Sequence, residues 1–149
     1  MDMQTQDNHG AEQLEAMTAF ARADLGCTFG PSFFLSHLER FVRDRCPDRE
    51  ENLPLVQLHL ADGDTLDLCH IIGVSPRWVM LAVRDAAGHH DGMAIELVPY
   101  ELVRRVCIRT RRRGESASVG YAQVRPPEMV SAEALLRAAT AARHESPKA

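Results

Sequence analysis

The stretch that decides the fold begins LPLVQLHLADGDTLDLCHIIGVSPRWVMLAV, residues 53–83, and continues to residue 110. Near its start the apolar residues Val56, Leu58 and Leu60 alternate with polar ones. Successive side chains of a strand point to opposite faces of a sheet. The alternation therefore predicts a half-buried first strand.

A hairpin turn follows this strand. Asp62-Gly63 lies between two apolar runs, and glycine accepts the positive φ that a tight turn requires. Residues 66–72 then predict a second strand, which alternates at first and is almost wholly apolar by its end. Residues 73–77 end it, because Pro76 cannot donate a ladder hydrogen bond.

Three further apolar runs of strand length complete the stretch: residues 78–83, 93–98 and 103–108. A polar loop precedes the second of these runs, and a short turn precedes the third. In the fourth strand one face carries Met93, Ile95 and Leu97; in the fifth Val106 and Ile108 point inward and Arg105, Cys107 and Arg109 outward. Five strands of this size predict a small SH3-like or Sm-like β-barrel.

Two parts of this stretch resemble the motifs of the Sm-like family. Leu58-His-Leu60-Ala-Asp-Gly63, followed by the run 78–83, is similar to the first Sm motif, in which a glycine-containing turn separates two bent strands. Leu97-Val-Pro-Tyr100, followed by Val103 and Val106, is similar to the second. The resemblance spans roughly residues 54–109 and implies an RNA-binding barrel. The chain departs from it where Sm proteins hold a base: their Asn falls near Val79 and their Arg-Gly near Pro99-Tyr100.

Composition limits the classes of function. The chain has 149 residues, the length of a single domain, and a net charge of −4, which argues against a general binder of nucleic acid or anionic membranes. We find no apolar run of membrane-spanning length and no secretory signal, and therefore predict no membrane partner. Four cysteines stand singly, a spacing typical of reduced thiols, so we expect a cytoplasmic protein.

Two helices are predicted before the strands. Residues 11–25 form the weaker one, and residues 32–46 form the stronger one, with a wide apolar face that includes Phe33, Phe34 and Phe41. So many aromatic side chains on one face have to be buried. They either pack on the strands of their own chain or form a hydrophobic interface with a partner, where Phe is enriched.

An arginine cluster follows the last strand. It consists of Arg109, Arg111, Arg112 and Arg113, which could bind an anionic partner by neutralising phosphates. Three interpretations stay open: a solvated loop, a nucleic-acid contact, or a contact with an acidic protein. Beyond it, residues 119–124 allow one more strand, and Ser131 caps a last helix that ends near Arg143.

Chemistry-bearing groups are few. His89, His90 and Asp91 in a glycine-flanked loop are only weak candidates for metal ligands, because adjacent residues seldom converge on one ion. Asp67 and His70, with His59 across the hairpin, form a second cluster only if a bulge brings Asp67 and His70 to one face. We recognise no catalytic or nucleotide-binding motif and predict no cofactor.

The sequence therefore predicts an α+β protein: a five-stranded Sm-like or SH3-like β-barrel with two N-terminal helices and one C-terminal helix. Its parts are a helical segment 1–52, the barrel 53–110, and a last segment 111–149 with the basic loop and final helix. The predicted function is a non-enzymatic binding or assembly module, forming a homo-oligomer or binding a protein partner, because barrels of this type leave strand edges open. An RNA-binding Sm-like protein is the alternative, followed by a small metal-dependent enzyme.

Overall fold

The computed structural model describes residues 3–46, 52–85, 92–110 and 120–130. Helix α1, Met3–Gly26, comes first, and a π-helical turn, Phe33–His37, runs directly into helix α2, Leu38–Arg45. The two helices predicted ahead of the strands are thus present, although α1 begins at Met3 and not at residue 11. The carboxylate of Asp24 joins them, since it accepts hydrogen bonds from both the backbone N–H and the hydroxyl of Ser32.

Six strands follow the helices. Their bounds are β1 Leu55–Leu60, β2 Thr65–Val74, β3 Trp78–Arg84, β4 Met93–Pro99, β5 Val103–Arg109 and β6 Glu128–Met129, with a 3₁₀ turn, Tyr100–Leu102, between β4 and β5. The predicted hairpin joins β1 to β2. Gly63 there adopts a φ of 94°, and its N–H donates to the carbonyl of Leu60, which explains why a glycine occupies this turn.

The strands form one open sheet in the order β4-β3-β2-β1-β5. These five pair antiparallel, whereas the two-residue β6 pairs parallel with the end of β2. Irregularities interrupt the register in β2, between Leu68 and His70 and again between Ile71 and Gly73. Such bulges bend a strand and increase its twist, so β2 pairs with β1 through its first residues and with β3 through its later ones.

The prediction of a closed five-stranded barrel is wrong. Within the described residues β4 and β5 end the strand order at opposite edges and do not pair with each other. The strand count is also different, because β6 lies at Glu128–Met129, while residues 120–124, where the extra strand was expected, have no regular structure. The predicted C-terminal helix, from Ser131 onward, lies outside the described residues.

The core lies between the second helix and the sheet. Phe34, Leu38 and Val42 pack against strand residues such as Leu58 and Leu81, all almost completely buried. Each large apolar side chain removed from water in this way contributes about 1.5–3 kcal/mol. The apolar face predicted for this helix is therefore buried in part: Phe34 lies in the core, whereas Phe41 is 48% exposed.

The segment 120–130 covers the part of β2 that β1 leaves unpaired. Ala122 N–H donates to the carbonyl of Cys69, and Val130 N–H to that of Val74. Between these points the Gln123 side-chain amide accepts from the N–H of Ile71 and donates to its carbonyl, both at 2.8 Å. A side chain thus takes the place of a neighbouring strand where the ladder is irregular.

None of the helices in the described part of the chain is long and apolar enough to cross a membrane.

Candidate interaction edge

Strand β4 presents an exposed apolar stripe at one edge of the sheet. Met93, Ile95 and Leu97 are 62%, 63% and 42% exposed, whereas Val98 between them and the turn is buried. These three side chains lie on one face, as the alternation predicted, and the structure places that face outward. An exposed apolar edge strand is a template for pairing with another chain, which soluble proteins usually block.

The neighbouring strand β3 adds little exposed surface to this stripe. Leu97 lies opposite Met80 and Ile95 opposite Ala82 in the register of β3 and β4. Met80 and Ala82 are nearly buried, so the exposed part of this surface belongs to β4. On its other side β4 has no partner strand among the residues that the structure describes.

Strand β5 forms the opposite edge and has a different character. Arg104, Arg105 and Arg109 are exposed on it. Its register with β1 shifts between His59 and Leu60, which leaves Arg104 as an extra residue. Bulges and charged side chains are two ways in which proteins limit pairing at a sheet edge. Strand β5 is therefore protected against pairing with chains that do not match its charges, whereas β4 has less protection of this kind.

The three phenylalanines predicted for a hydrophobic interface have different surroundings. Phe34 is 1% exposed and lies in the core, and Phe33 is partly buried against it. Phe41 is 48% exposed, with the Arg45 guanidinium 5.9 Å from its ring centroid. Of the three, Phe41 has the most surface to offer a neighbour.

The predicted arginine cluster and metal ligands lie mostly outside the described residues. Arg109 is exposed at the end of β5, but residues 111–113 and the histidine loop 89–91 are not described. No group of three His, Cys, Asp or Glu side chains able to hold a metal ion occurs among the residues that are described.

In the second predicted cluster, which consists of Asp67, His70 and His59, the members Asp67 and His59 contact different residues. The register irregularity that it required is present between Leu68 and His70. Asp67 nevertheless accepts a hydrogen bond from Gln57 at 2.9 Å, while His59 contacts Thr65 and the Arg105 guanidinium at 3.4 Å. Asp67 and His59 thus contact different residues along the sheet.

The cysteine thiols and the Tyr100 hydroxyl have roles in the fold. All four cysteines are free thiols. Burial, and then the charge of Asp67, raise the pKa of the Cys69 thiol, although Arg84 opposes this shift. A thiol with a raised pKa is a poor nucleophile. The Tyr100 hydroxyl donates to the carbonyl of Ser75 at 2.6 Å and so fixes the turn between β2 and β3.

Sequence reasoning found the β4 stripe but not its direction. Alternation shows that Met93, Ile95 and Leu97 share a face, and it does not show whether that face points into the core. The sequence also missed Tyr121, which is 1% exposed; its position in a short apolar stretch before two prolines was the available signal. No family model, no curated protein and no solved structure matches the chain.

Proposed function

We propose that this protein is a binding or assembly module that self-associates, with β4 of one copy pairing with an open edge of another copy. The observation that carries this proposal is the exposed alternating stripe Met93, Ile95 and Leu97 on an edge strand. Covering these side chains would contribute up to about 1.5–3 kcal/mol each. New backbone hydrogen bonds along the strand would add to this gain.

A second copy is the occupant that best fits the charges at the two edges. Glu96, in the middle of β4, is exposed, and Arg104 and Arg105 are exposed on β5. Opposite charges across paired strands are stabilising, whereas like charges directly opposite are destabilising. Pairing of β4 with β5 of the next copy therefore brings unlike charges together. Such a head-to-tail contact repeats from one copy to the next. It forms a closed ring if the rotation between neighbouring copies brings the last copy back to the first.

The experiment is light scattering on the full chain, separated by size over a range of concentrations. We expect a mass that is a multiple of the 16.6 kDa chain, and we expect Ile95→Lys to reduce it to one chain, because a charge on the stripe cannot be buried unpaired. Leu14→Lys is the matched control, since Leu14 is 66% exposed on α1 and Ile95 63% exposed on β4. A single-chain mass for the unchanged protein at high concentration, or equal masses for both variants, would refute edge pairing.

A charge reversal distinguishes the two ways of pairing. Glu96→Arg places like charges together if β4 pairs with β5, so the oligomer should weaken. If instead two copies of β4 pair with each other, the reversal changes both strands alike and the oligomer should persist.

RNA binding is the second candidate function. The exposed Arg104, Arg105 and Arg109 on β5 support it, because clustered arginines neutralise phosphates. Absorbance at nucleic-acid and protein wavelengths across the same sizing peak tests it: bound RNA that high salt removes would favour this alternative. The resemblance to Sm-like proteins stays a prediction from apolar spacing.

A further inference from the structure

A groove of about 700 Å³ lies between helix α1, the turn from β2 to β3, and the end of the segment 120–130. Apolar side chains form most of its lining, among them Met17, Phe20, Pro76, Met129 and Val130. Met17 is 66% exposed and Met129 54%. Large apolar side chains that line an open groove together mark a surface that another segment or protein covers.

The segment 120–130 ends at this groove. The N–H of Val130, its last residue, donates to the carbonyl of Val74 at 2.9 Å. This bond holds Val130 in the wall of the groove, so the chain continues from there with residue 131. A segment tethered in this way has a high effective concentration at the adjoining surface. Residues from 131 onward are therefore the first candidates to fill the groove.

The sequence after Val130 has the pattern that an apolar groove requires. Ser131 is a suitable N-cap, and Leu135, Leu136 and Ala139 form one narrow stripe at helical spacing. A helix over residues 131–143 would be about 20 Å long, and α1, with 24 residues, is long enough to lie beside all of it. An isolated helix of this length is marginal in water, so it needs a surface on which to bury its stripe.

The charges of the two elements also match. Helix α1 has four acidic side chains and one arginine, namely Asp7, Glu12, Glu15, Asp24 and Arg22. Residues 131–143 have two arginines, Arg137 and Arg143, and one acid, Glu133. Arg77, which lines the groove together with Val130, has the opposite charge to Glu133, the first charged residue after Val130. Complementary charges of this kind favour a basic segment over an acidic one beside α1.

We propose that residues 131–143 form an amphipathic helix that fills the groove of their own chain, with Leu135 and Leu136 packed against Met17 and Phe20. The tether at Val130, the apolar stripe and the opposite net charges favour this segment over a second copy or an unrelated protein. The groove and the β4 stripe share no residues, so this assignment does not depend on edge pairing by β4.

The first experiment is NMR on the full chain, with the methyl groups of leucine and methionine isotopically labelled. We expect nuclear Overhauser effects, which report short distances between hydrogens, from the methyl groups of Leu135 or Leu136 to the methyl group of Met17. Resolved signals for all three residues without such an effect would overturn the assignment. A mixture of differently labelled chains, unfolded and refolded together, tests for a second copy. Effects between chains with different labels would place the helix on a neighbour and would likewise overturn the assignment.

Hydrogen exchange on two variants tests the contact from the side of α1. Met17→Asp places a carboxylate under the proposed helix, and an unpaired charge is costly to bury, so the backbone amides of residues 135–140 should exchange at least about tenfold faster. Leu14→Asp is the matched control, because Leu14 is also 66% exposed on α1 but does not line the groove. Its exchange rates should equal those of the unaltered protein.

Two results of this comparison would refute the docked helix. One is equal exchange at residues 135–140 in both variants. The other is exchange in the unaltered protein that is already as fast as in an unfolded peptide. Because edge pairing is measured as mass, the two proposals can fail separately.

Discussion

At the scale of single residues, Ser75 fixes the turn between β2 and β3. It is fully buried, and its hydroxyl donates to the carbonyl of Trp78 at 2.7 Å while accepting from the N–H groups of Arg77 and Trp78. Ser75→Ala removes all three bonds: the carbonyl of Trp78 keeps its bond from the Ser75 N–H, whereas the N–H groups of Arg77 and Trp78 lose this acceptor. We expect the free energy of unfolding to fall by about 1–3 kcal/mol, measured by urea denaturation.

A matched serine provides the control for this prediction. The Ser36 hydroxyl makes one long bond of 3.4 Å, to the carbonyl of Ser32, so Ser36→Ala should change the free energy of unfolding by less than about 0.5 kcal/mol. If the two variants unfold at the same urea concentration, the hydroxyl of Ser75 does not stabilise the turn.

At the scale of elements, the segment 120–130 covers the edge of β2 by individual hydrogen bonds, although residues 120–124, where an extra strand was expected, have no regular structure. Gln123→Ala removes both hydrogen bonds to Ile71 and a third, at 2.7 Å, to the carbonyl of Arg125. We expect about 1–3 kcal/mol of destabilisation and faster hydrogen exchange at the Ile71 amide, measured residue by residue by NMR.

Two further variants test whether the amide of Gln123 acts as the missing strand. Gln123→Glu can still accept from the N–H of Ile71, but it places a carboxylate oxygen against the carbonyls of Ile71 and Arg125, so it should destabilise at least as much as Gln123→Ala. Gln57→Ala removes one side-chain bond, to Asp67 on the outer surface, and should leave Ile71 exchange unchanged. Fast exchange at Ile71 in the unaltered protein would show that the segment does not cover β2.

These elements also show how far the sequence allows prediction. Local patterns fixed the five main strands and the hairpin at Gly63, because alternation and a positive-φ turn depend on neighbours in the chain. Whether the sheet closes into a barrel was not predictable in this way. Closure requires β4 and β5 to pair with each other, and they lie at opposite ends of the strand order. The same limit applies to the site: spacing grouped Met93, Ile95 and Leu97, and only the strand order places them on an edge.

Gly120 illustrates a constraint that only the folded structure reveals. A side chain there would collide with the side chain and backbone of Leu53, and the next residue, Tyr121, donates its N–H to the carbonyl of Pro54 at 2.8 Å. The glycine thus allows the segment 120–130 to approach the start of β1. In the sequence Gly120 stands between Val119 and Tyr121, and no local pattern there predicts contact with Leu53.

At the scale of the whole molecule, the two tyrosines couple stability to alkaline pH. The chain contains two tyrosines, Tyr100 and Tyr121, both almost fully buried. Burial is the largest cause that raises the pKa of each above its ordinary value of 10; the next is the charge of Asp24 for Tyr100 and of Glu39 for Tyr121. Both hydroxyls therefore keep their protons in the folded chain at pH values where the unfolded chain releases them.

The sign of the effect follows from proton linkage. Above pH 10 the unfolded chain binds fewer protons than the folded one, so the free energy of unfolding falls as pH rises, by up to about 1.4 kcal/mol per pH unit for each tyrosine. Below pH 10 this contribution is constant. Urea denaturation at a series of pH values from 8 to about 11 should show the fall, with Tyr100→Phe and Tyr121→Phe each removing part of the slope.

Tyrosinate absorbance supplies an independent measurement of the same coupling. Because both hydroxyls are buried, we expect the tyrosinate band to appear together with the loss of helical circular dichroism in one cooperative alkaline transition. In Tyr121→Phe the transition should move to higher pH, since one group that favours the unfolded chain is gone. If the band develops near pH 10 while the circular dichroism remains unchanged, the hydroxyls ionise within the folded chain, and neither tyrosine couples stability to pH.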